Sequence, residues 1–302
     1  MLVGGYHAFP EQARLGFVGL GHGLAGVAVN RVPVAGYDIE YYDSGTDTGD
    51  SEPLVLIHGF GGDKENFTAV APFLTGSYRV IAPDLLGFGE SSKPLGERYQ
   101  IEDQVQRLHD FVKSLGLKRV HLGGNSMGGW IAGAYAARYP DEVASLWLLG
   151  TAMVAGAEPS EMQRRIKAGE PLPLLVKTEA DFEPLMDFVM SRRRPLPSAI
   201  KDYVARRAVQ DYALHKRIFE GPGSEPPLEY YVKELATPTL IVWGDQDRVL
   251  HYSGAKVLDE LMPNAEVIIL PGIGHLPMLE DPWRTSRDYL AWRARLNPGK
   301  AS

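Results

Sequence analysis

Gly124-Asn125-Ser126-Met127-Gly128 fits the pattern G-x-S-x-G. A serine flanked in this way suits a sharp strand-to-helix turn that presents its hydroxyl above a sheet. The pattern alone is cheap, arising by chance in roughly one chain in five of this length and composition. Context makes it specific. Val120-His121-Leu122 reads as a strand running into it, and the small-residue segment from Trp130 to Tyr139, stopped by Pro140, reads as a helix running out. Side chains two residues either side of the serine would collide, so Gly124 and Gly128 meet a steric need. Ser126 is therefore the candidate nucleophile, placed near the N-terminal dipole of a helix. The bland alternative is a serine that caps an ordinary helix.

A serine hydroxyl needs a base. His275, in Gly272-Ile273-Gly274-His275, directly follows the apolar run Val267 to Leu270, so it sits in a loop at a strand's C-terminal end. It is the candidate base. His58, in His58-Gly59-Phe60-Gly61-Gly62, reads as shaping its turn, and His22, His109, His121, His215 and His251 read as surface or packing residues. The base needs a carboxylate to set its tautomer. Asp247, in Trp243-Gly244-Asp245-Gln246-Asp247, follows another apolar run, and Asp245 is the alternative that instead shapes the turn. The developing oxyanion needs two donors, each typically worth ~10²–10³ in rate. The backbone N–H groups of Met127 and Phe60 are the candidates, the latter in a glycine-rich loop that lets the backbone approach a substrate. Such chemistry calls for no metal or cofactor. The absence of Cys excludes a thiol nucleophile and a thiolate metal site.

These residues must be carried by a sheet. Leu54-Val55-Leu56-Ile57 and Tyr78 to Ala82 read as apolar runs, as in strands buried on both faces, and Val143 to Leu149, Thr239 to Trp243 and Val267 to Leu270 read as further strands. Ile101, Val105, Leu108, Val112 and Leu115 recur at helical spacing. This alternation implies an α/β architecture with a parallel sheet and right-handed crossovers. The rhythm breaks between Thr151 and Ala236, where the chain is helical in flavour and rich in charge. We divide it into an N-terminal segment (1–33), a first core part (34–150), a helical cap (151–236) and a second core part (237–302). An insertion at that edge lies over the ligand-binding end of a parallel sheet. Phe182, Leu185, Met186, Val189 and Met190 form one apolar stripe in it. Met153, Met186 and Met190 are candidates to line an apolar acyl pocket, against the alternative of simple packing of cap on core. Ser191-Arg192-Arg193-Arg194 offers charge to an anionic lipid surface, or closes a helix in solvent.

Composition bounds the remainder. The chain has 302 residues, 31 Lys+Arg against 38 Asp+Glu, a net charge of −7, and 44% hydrophobic residues. Disorder, a collagen-like repeat and a disulfide scaffold are excluded, and the acidic balance argues against a nucleic-acid partner. Leu15 to Val29 is too short for the ~20 residues of a membrane span. It suits a targeting or membrane-facing role, or packing on the domain surface. Its match to G-x-G-x-x-G (Gly21 to Gly26) lacks the strand and βαβ unit a dinucleotide site requires. The expected location is cytoplasmic or membrane-associated.

His58 to Gly62, Pro83-Asp84-Leu85-Leu86-Gly87-Phe88-Gly89-Glu90-Ser91, Gly124 to Gly129, Gly244 to Asp247 and Gly274-His275 occur in an order that resembles the α/β-hydrolase superfamily from about Pro53 to Trp292. The resemblance implies an α/β-hydrolase fold, with a mostly parallel central sheet, helices on both faces and a helical cap inserted after the sixth strand. Within it, Ile101 to Val112 followed by Gly-Asn-Ser-Met-Gly-Gly is similar to monoacylglycerol lipases and related bacterial lipases and esterases. The same elbow resembles C–C hydrolases acting on ring-fission products of aromatic degradation. Haloalkane dehalogenases and epoxide hydrolases use Asp at the position of Ser126, so they are set aside. The implied function is hydrolysis of a small ester or lipid through an acyl-enzyme, and the alternative is C–C hydrolysis. The latter would require a cation for the substrate carboxylate, for which Arg192 to Arg194 are candidates. A receptor or interaction module without catalysis is disfavoured, because all three triad positions are chemically competent.

Overall fold

A computed structural model describes residues 22–23, 25–45, 52–193, 195, 197–221 and 225–296. Among these residues eight strands form one sheet. They are β1 (Ala28–Val34), β2 (Tyr37–Asp43), β3 (Leu54–Ile57), β4 (Val80–Pro83), β5 (Val120–Asn125), β6 (Val143–Leu149), β7 (Thr239–Gly244) and β8 (Ala265–Leu270). Their spatial order is β1-β2-β4-β3-β5-β6-β7-β8. Pairing is parallel from β4 across to β8 and antiparallel for β1 with β2 and β2 with β4.

The helices are α1 (Ala71–Leu74), α2 (Ile101–Ser114), α3 (Met127–Arg138), α4 (Glu161–Lys167), α5 (Phe182–Val189), α6 (Ser198–Gln210), α7 (Tyr212–Glu220), α8 (Leu228–Val232), α9 (Ser253–Leu261), α10 (Pro277–Glu280) and α11 (Pro282–Leu296). Alternate strand residues enter two apolar layers. Val55, Ile57, Leu146, Leu148 and Ile241 pack with α2, α3 and α9, while Leu54, Leu56, Trp147, Leu149 and Val242 pack with α1 and α11. Burial on both faces explains why these strands read as unbroken apolar runs.

Three features differ from the sequence expectation. First, β1 and β2 form a hairpin, and β1 runs through the boundary placed between residues 33 and 34. Ala35 and Gly36 turn with φ of 50° and 86°, the doubly positive geometry of a type I′ turn. β1 is largely exposed and carries Asn30, Arg31 and Pro33, so it shows no hydrophobic period. Second, α3 begins at Met127, three residues before the expected start. Gly128 and Gly129 are poor helix formers, but close packing there overrides propensity. Third, α8 belongs to the core layer. Leu228 and Val232 are fully buried against Gly133 of α3, where a Cβ would stand 2.6 Å from Leu228 Cδ1. The remaining inserted helices, α4 to α7, contribute residues that overlie the C-terminal ends of the strands.

Of Leu15 to Val29, residues 15–21 and 24, and with them part of the glycine pattern, lie outside the described residues; His22, Ala25 and Val27 are buried, the latter two in the apolar layer with α1 and α11. Ala28 and Val29 open β1. Among the described residues no helix is long and apolar enough to cross a membrane.

Candidate active site

β3 and β5 are neighbours, and the loops leaving their C-terminal ends carry Phe60 and Ser126. The chain crosses over in opposite directions from this pair, which is where open α/β sheets bind ligands. Ser126 has φ 56° and ψ −119°, a conformation that costs a non-glycine residue of order 1–3 kcal/mol. Its surroundings hold it there. Its N–H donates to the Leu149 carbonyl at 3.0 Å, and its carbonyl accepts from Gly129 and Ala152 at 3.0 Å each. A Cβ on Gly124 would overlap the Gly128 carbonyl, and a Cβ on Gly128 would overlap the Ile57 carbonyl. Ser126 occupies the N-cap position of α3, yet its side chain makes no capping bond. The hydroxyl is left for the cavities that Ser126 lines.

Asp247 and His275 are brought together. His275 Nδ1–H donates to Asp247 Oδ2 at 2.8 Å, both residues buried. In the neutral ring that bond places the proton on Nδ1 and turns the lone pair of Nε2 outward, as a base requires. Trp243 Nε1–H donates to Asp247 Oδ2 at 3.1 Å, and the Val249 and Leu250 N–H groups donate to Oδ1 at 2.9 Å each. Asp245 does something else: its Oδ1 accepts from Gly272 N–H at 2.7 Å and braces the turn. His275 and Ser126 line the same cavity. Asn125 Nδ2 joins their supports, donating to the Leu149 carbonyl at 2.9 Å and the His275 carbonyl at 3.0 Å. A variable position of the motif carries no sign of this role in the sequence.

The loop after β3 comes close to the serine. A Cβ on Gly59 would sit 3.0 Å from Ser126 Cβ. Among the described residues the N–H groups of Phe60 and Met127 have no partner in the protein. His58 is buried, donating from Nδ1 to the Gly59 carbonyl at 2.7 Å and accepting Leu85 N–H at Nε2 at 3.0 Å. Burial holds its pKa below the ordinary imidazole value. Its ring shapes the loop. Behind it, Lys64 Nζ reaches Asp84 at 2.9 Å and Glu40 at 2.8 Å. Burial works against the ammonium, but Asp84, Glu40 and Asp63 together push its pKa above the usual range. This buried cluster ties the loops after β3 and β4 together and has no motif of its own.

Two cavities meet at Ser126. One, of about 390 Å³, is lined by Met127, Trp130, Met153, Ile166 and Phe219 among others. The other, of about 150 Å³, is lined by His275, Val176, Phe182, Leu185, Met186 and His215 among others. Met153 lies on the larger and Met186 on the smaller, but Met190 lines neither. Met190 follows the last residue of α5 and has extended backbone, so the helical stripe no longer governs it. It packs instead with Met162, Phe188 and Val249. His215 stacks on Phe88 at 5.0 Å, and burial pushes its pKa down to about 4. Only tertiary placement distinguishes it from the other histidines.

Arg192 donates to the Pro271 carbonyl at 3.4 Å and Arg193 pairs with Glu183 and Asp187 at 2.6 Å each. Arg194 lies outside the described residues. Among the described residues no Lys or Arg lines either cavity.

Comparison with known proteins agrees with this arrangement of strands and loops. Residues 52–282 match the family model for the alpha/beta hydrolase fold. Lipase 3 of Moraxella sp. (strain TA144) is 42% identical over 248 residues, 80% of this chain and 77% of that protein. Monoacylglycerol lipase ABHD6 of Homo sapiens is 30% identical over 257 residues, 80% of this chain and 76% of that protein. The crystal structure of a bacterial membrane phospholipase A superposes with a TM-score of 0.93 at 39% identity, covering 98% of this chain and 95% of the other. On these grounds the chain belongs to the α/β-hydrolase family, and within it resembles the bacterial lipases and monoacylglycerol lipases.

Proposed function

We propose that this protein is a serine carboxylic ester hydrolase, an esterase or lipase with Ser126, His275 and Asp247 as its triad. One observation carries the reading. A hydroxyl relieved of helix capping lines an apolar cavity together with an imidazole oriented by a buried carboxylate. Ser126 Oγ attacks the acyl carbon and His275 Nε2 takes its proton. The Phe60 and Met127 N–H groups receive the oxyanion. The bond to the alcohol oxygen then breaks as His275 returns the proton to it. Water repeats the sequence on the acyl-enzyme and releases the acid.

The leaving oxygen must lie within proton reach of His275. The alcohol portion therefore occupies the smaller cavity, and the acyl chain occupies the larger one, whose lining is mostly apolar. Helices α4 to α7 act as the cap over both. Met153, Ile166 and Phe219 line the larger cavity and are 42%, 41% and 40% exposed. This apolar rim suits a long acyl chain presented at a lipid surface. The names of the relatives, a lipase and a monoacylglycerol lipase, point to acylglycerols as the substrate class to test. Among the described residues neither cavity has a Lys or Arg in its lining to receive the carboxylate of a ring-fission acid, which favours the ester over C–C hydrolysis.

The test is hydrolysis of p-nitrophenyl esters of increasing chain length and of a monoacylglycerol, below and above its aggregation concentration. Wild type should turn these over and Ser126→Ala should not. Undiminished turnover in Ser126→Ala would refute the nucleophile. Activity confined to ring-fission dienoates would favour the C–C reaction, and no turnover of any ester would favour a receptor.

A further inference from the structure

Glu280 ends α10 and is 5% exposed. Four backbone N–H groups converge on its carboxylate. Gly274 lies 3.0 Å from both oxygens, and Leu276 lies 3.2 Å from Oε1. Ser191 and Arg192 each lie 2.8 Å from Oε2. The first pair flanks His275 in sequence, and the second belongs to the chain leaving cap helix α5. Among the described residues no ammonium or guanidinium forms an ion pair with this carboxylate. A buried charge is tolerated when charge-assisted hydrogen bonds replace water, and here backbone donors alone supply them. Val189 adds a direct link, its carbonyl accepting the His275 N–H at 2.8 Å. The join is tight, because a Cβ on Gly274 would stand 2.8 Å from Ser191 N and 2.9 Å from the Val189 carbonyl oxygen.

We infer that Glu280 is a positioning residue for His275, and that it seats the base by fastening its loop to the end of α5. The inference rests on the reading of His275 as the base. Three consecutive N–H groups, at residues 274, 275 and 276, are held by Glu280 or by the cap. The imidazole is correctly seated only while residues 189–192 stay docked. Withdrawal of that segment from the core loosens the base, so cap position and catalytic competence are one equilibrium.

Glu280→Ala and Glu280→Gln test this. The Gln amide presents N–H₂ to backbone N–H donors on one side, so it keeps one half of the junction and releases the other. With a short soluble ester, Glu280→Ala should lower kcat about 10²-fold, the scale of an ångström-sized misplacement. KM should change far less, because neither cavity loses a wall. Glu280→Gln should lower kcat about tenfold, as when a hydrogen bond to a charged group is lost. Hydrogen exchange should show lost protection at 188–192 and 273–276 together in Glu280→Gln. Wild-type kcat in a folded variant would overturn the positioning role, and exchange confined to one segment would overturn the coupling. If Glu280→Ala does not fold, Glu280→Gln decides both points. An inactive wild type would refute the ester hydrolase instead, while exchange would still test the junction.

Discussion

Ser126 and His275 line one cavity, but different kinds of contact hold them. Around Ser126 the constraints are mainly steric, between Gly124 and Gly128 and between Gly128 and the Ile57 carbonyl at the end of the neighbouring strand. Gly124 and Gly128 leave no room for a side chain, α3 starts at the next residue, and the adjoining strand β6 supplies one carbonyl. Around His275 the constraints are hydrogen bonds, most of them from distant parts of the chain. Asn125, Val189, Asp247 and Glu280 each hold one part of its loop or ring. A sterically determined turn leaves glycines at fixed spacing, so it writes a motif. A loop held by long-range polar contacts leaves only residue types that are common everywhere.

The contrast is breakable by experiment. Its largest expected effect is on the proposed nucleophile, Ser126. Ser126→Ala should reduce ester turnover on the order of 10⁶-fold with an unchanged unfolding midpoint, because no helix cap is lost. A lowered midpoint would mean that the hydroxyl serves the fold. Next comes the base side. Asp247→Asn should cost about 10⁴ in kcat by leaving the imidazole in the wrong tautomer, whereas Asp245→Asn should cost tenfold or less. If Asp245→Asn did the greater harm, the assignment of the two carboxylates would be reversed.

Gly128→Ala separates the two kinds of support. Its Cβ would meet the Ile57 carbonyl, which is backbone and cannot swing aside. The expected result is a loss of about 3 kcal/mol in denaturant unfolding, at the upper end for overpacking. An unshifted midpoint would show that the elbow is less crowded than its geometry implies.

The smallest effect concerns pH. Burial pushes His121 down to about 3 and His215 down to about 4. An unfolded chain protonates histidine near 6.5, so between about pH 6.5 and 4 it binds more protons than the folded one. Stability should fall as pH falls through that window, by up to about 1.4 kcal/mol per pH unit for each histidine. His215→Gln should flatten the curve measured by denaturant unfolding at pH 7, 6 and 5. An identical slope would show that His215 is not held neutral beside the smaller cavity.

Strands β3, β4, β6 and β7 were legible because burial on both faces produces largely apolar runs, while β8 was legible by its apolar run although this edge strand is half exposed. The hairpin β1–β2 was not, because an exposed edge strand with Asn30, Arg31 and Pro33 has no period to detect. The Asp-x-Asp segment was legible as a carboxylate site, and its geometry separates the two members. Trp243, Val249, Leu250 and His275 all donate to Asp247, while Gly272 donates to Asp245. Met190 was misjudged as a pocket residue because helical spacing was carried one residue past the end of α5.

By itself the sequence determined the family, the order of strands along the chain and the residue types able to perform acyl transfer. These leave local marks, since burial on two faces, a crowded turn and a strand end each write their pattern into a few consecutive residues. Tertiary structure alone decided which carboxylate meets His275, which side chains of α4 to α7 line the cavities at Ser126, and that Asn125 and Glu280 hold the His275 loop. Those outcomes depend on contacts well separated in sequence: Asp247 with His275 across 28 positions, Glu280 with Ser191 across 89 and Asn125 with His275 across 150. No local pattern encodes a hydrogen bond between segments whose separation is set by the packing of everything between them.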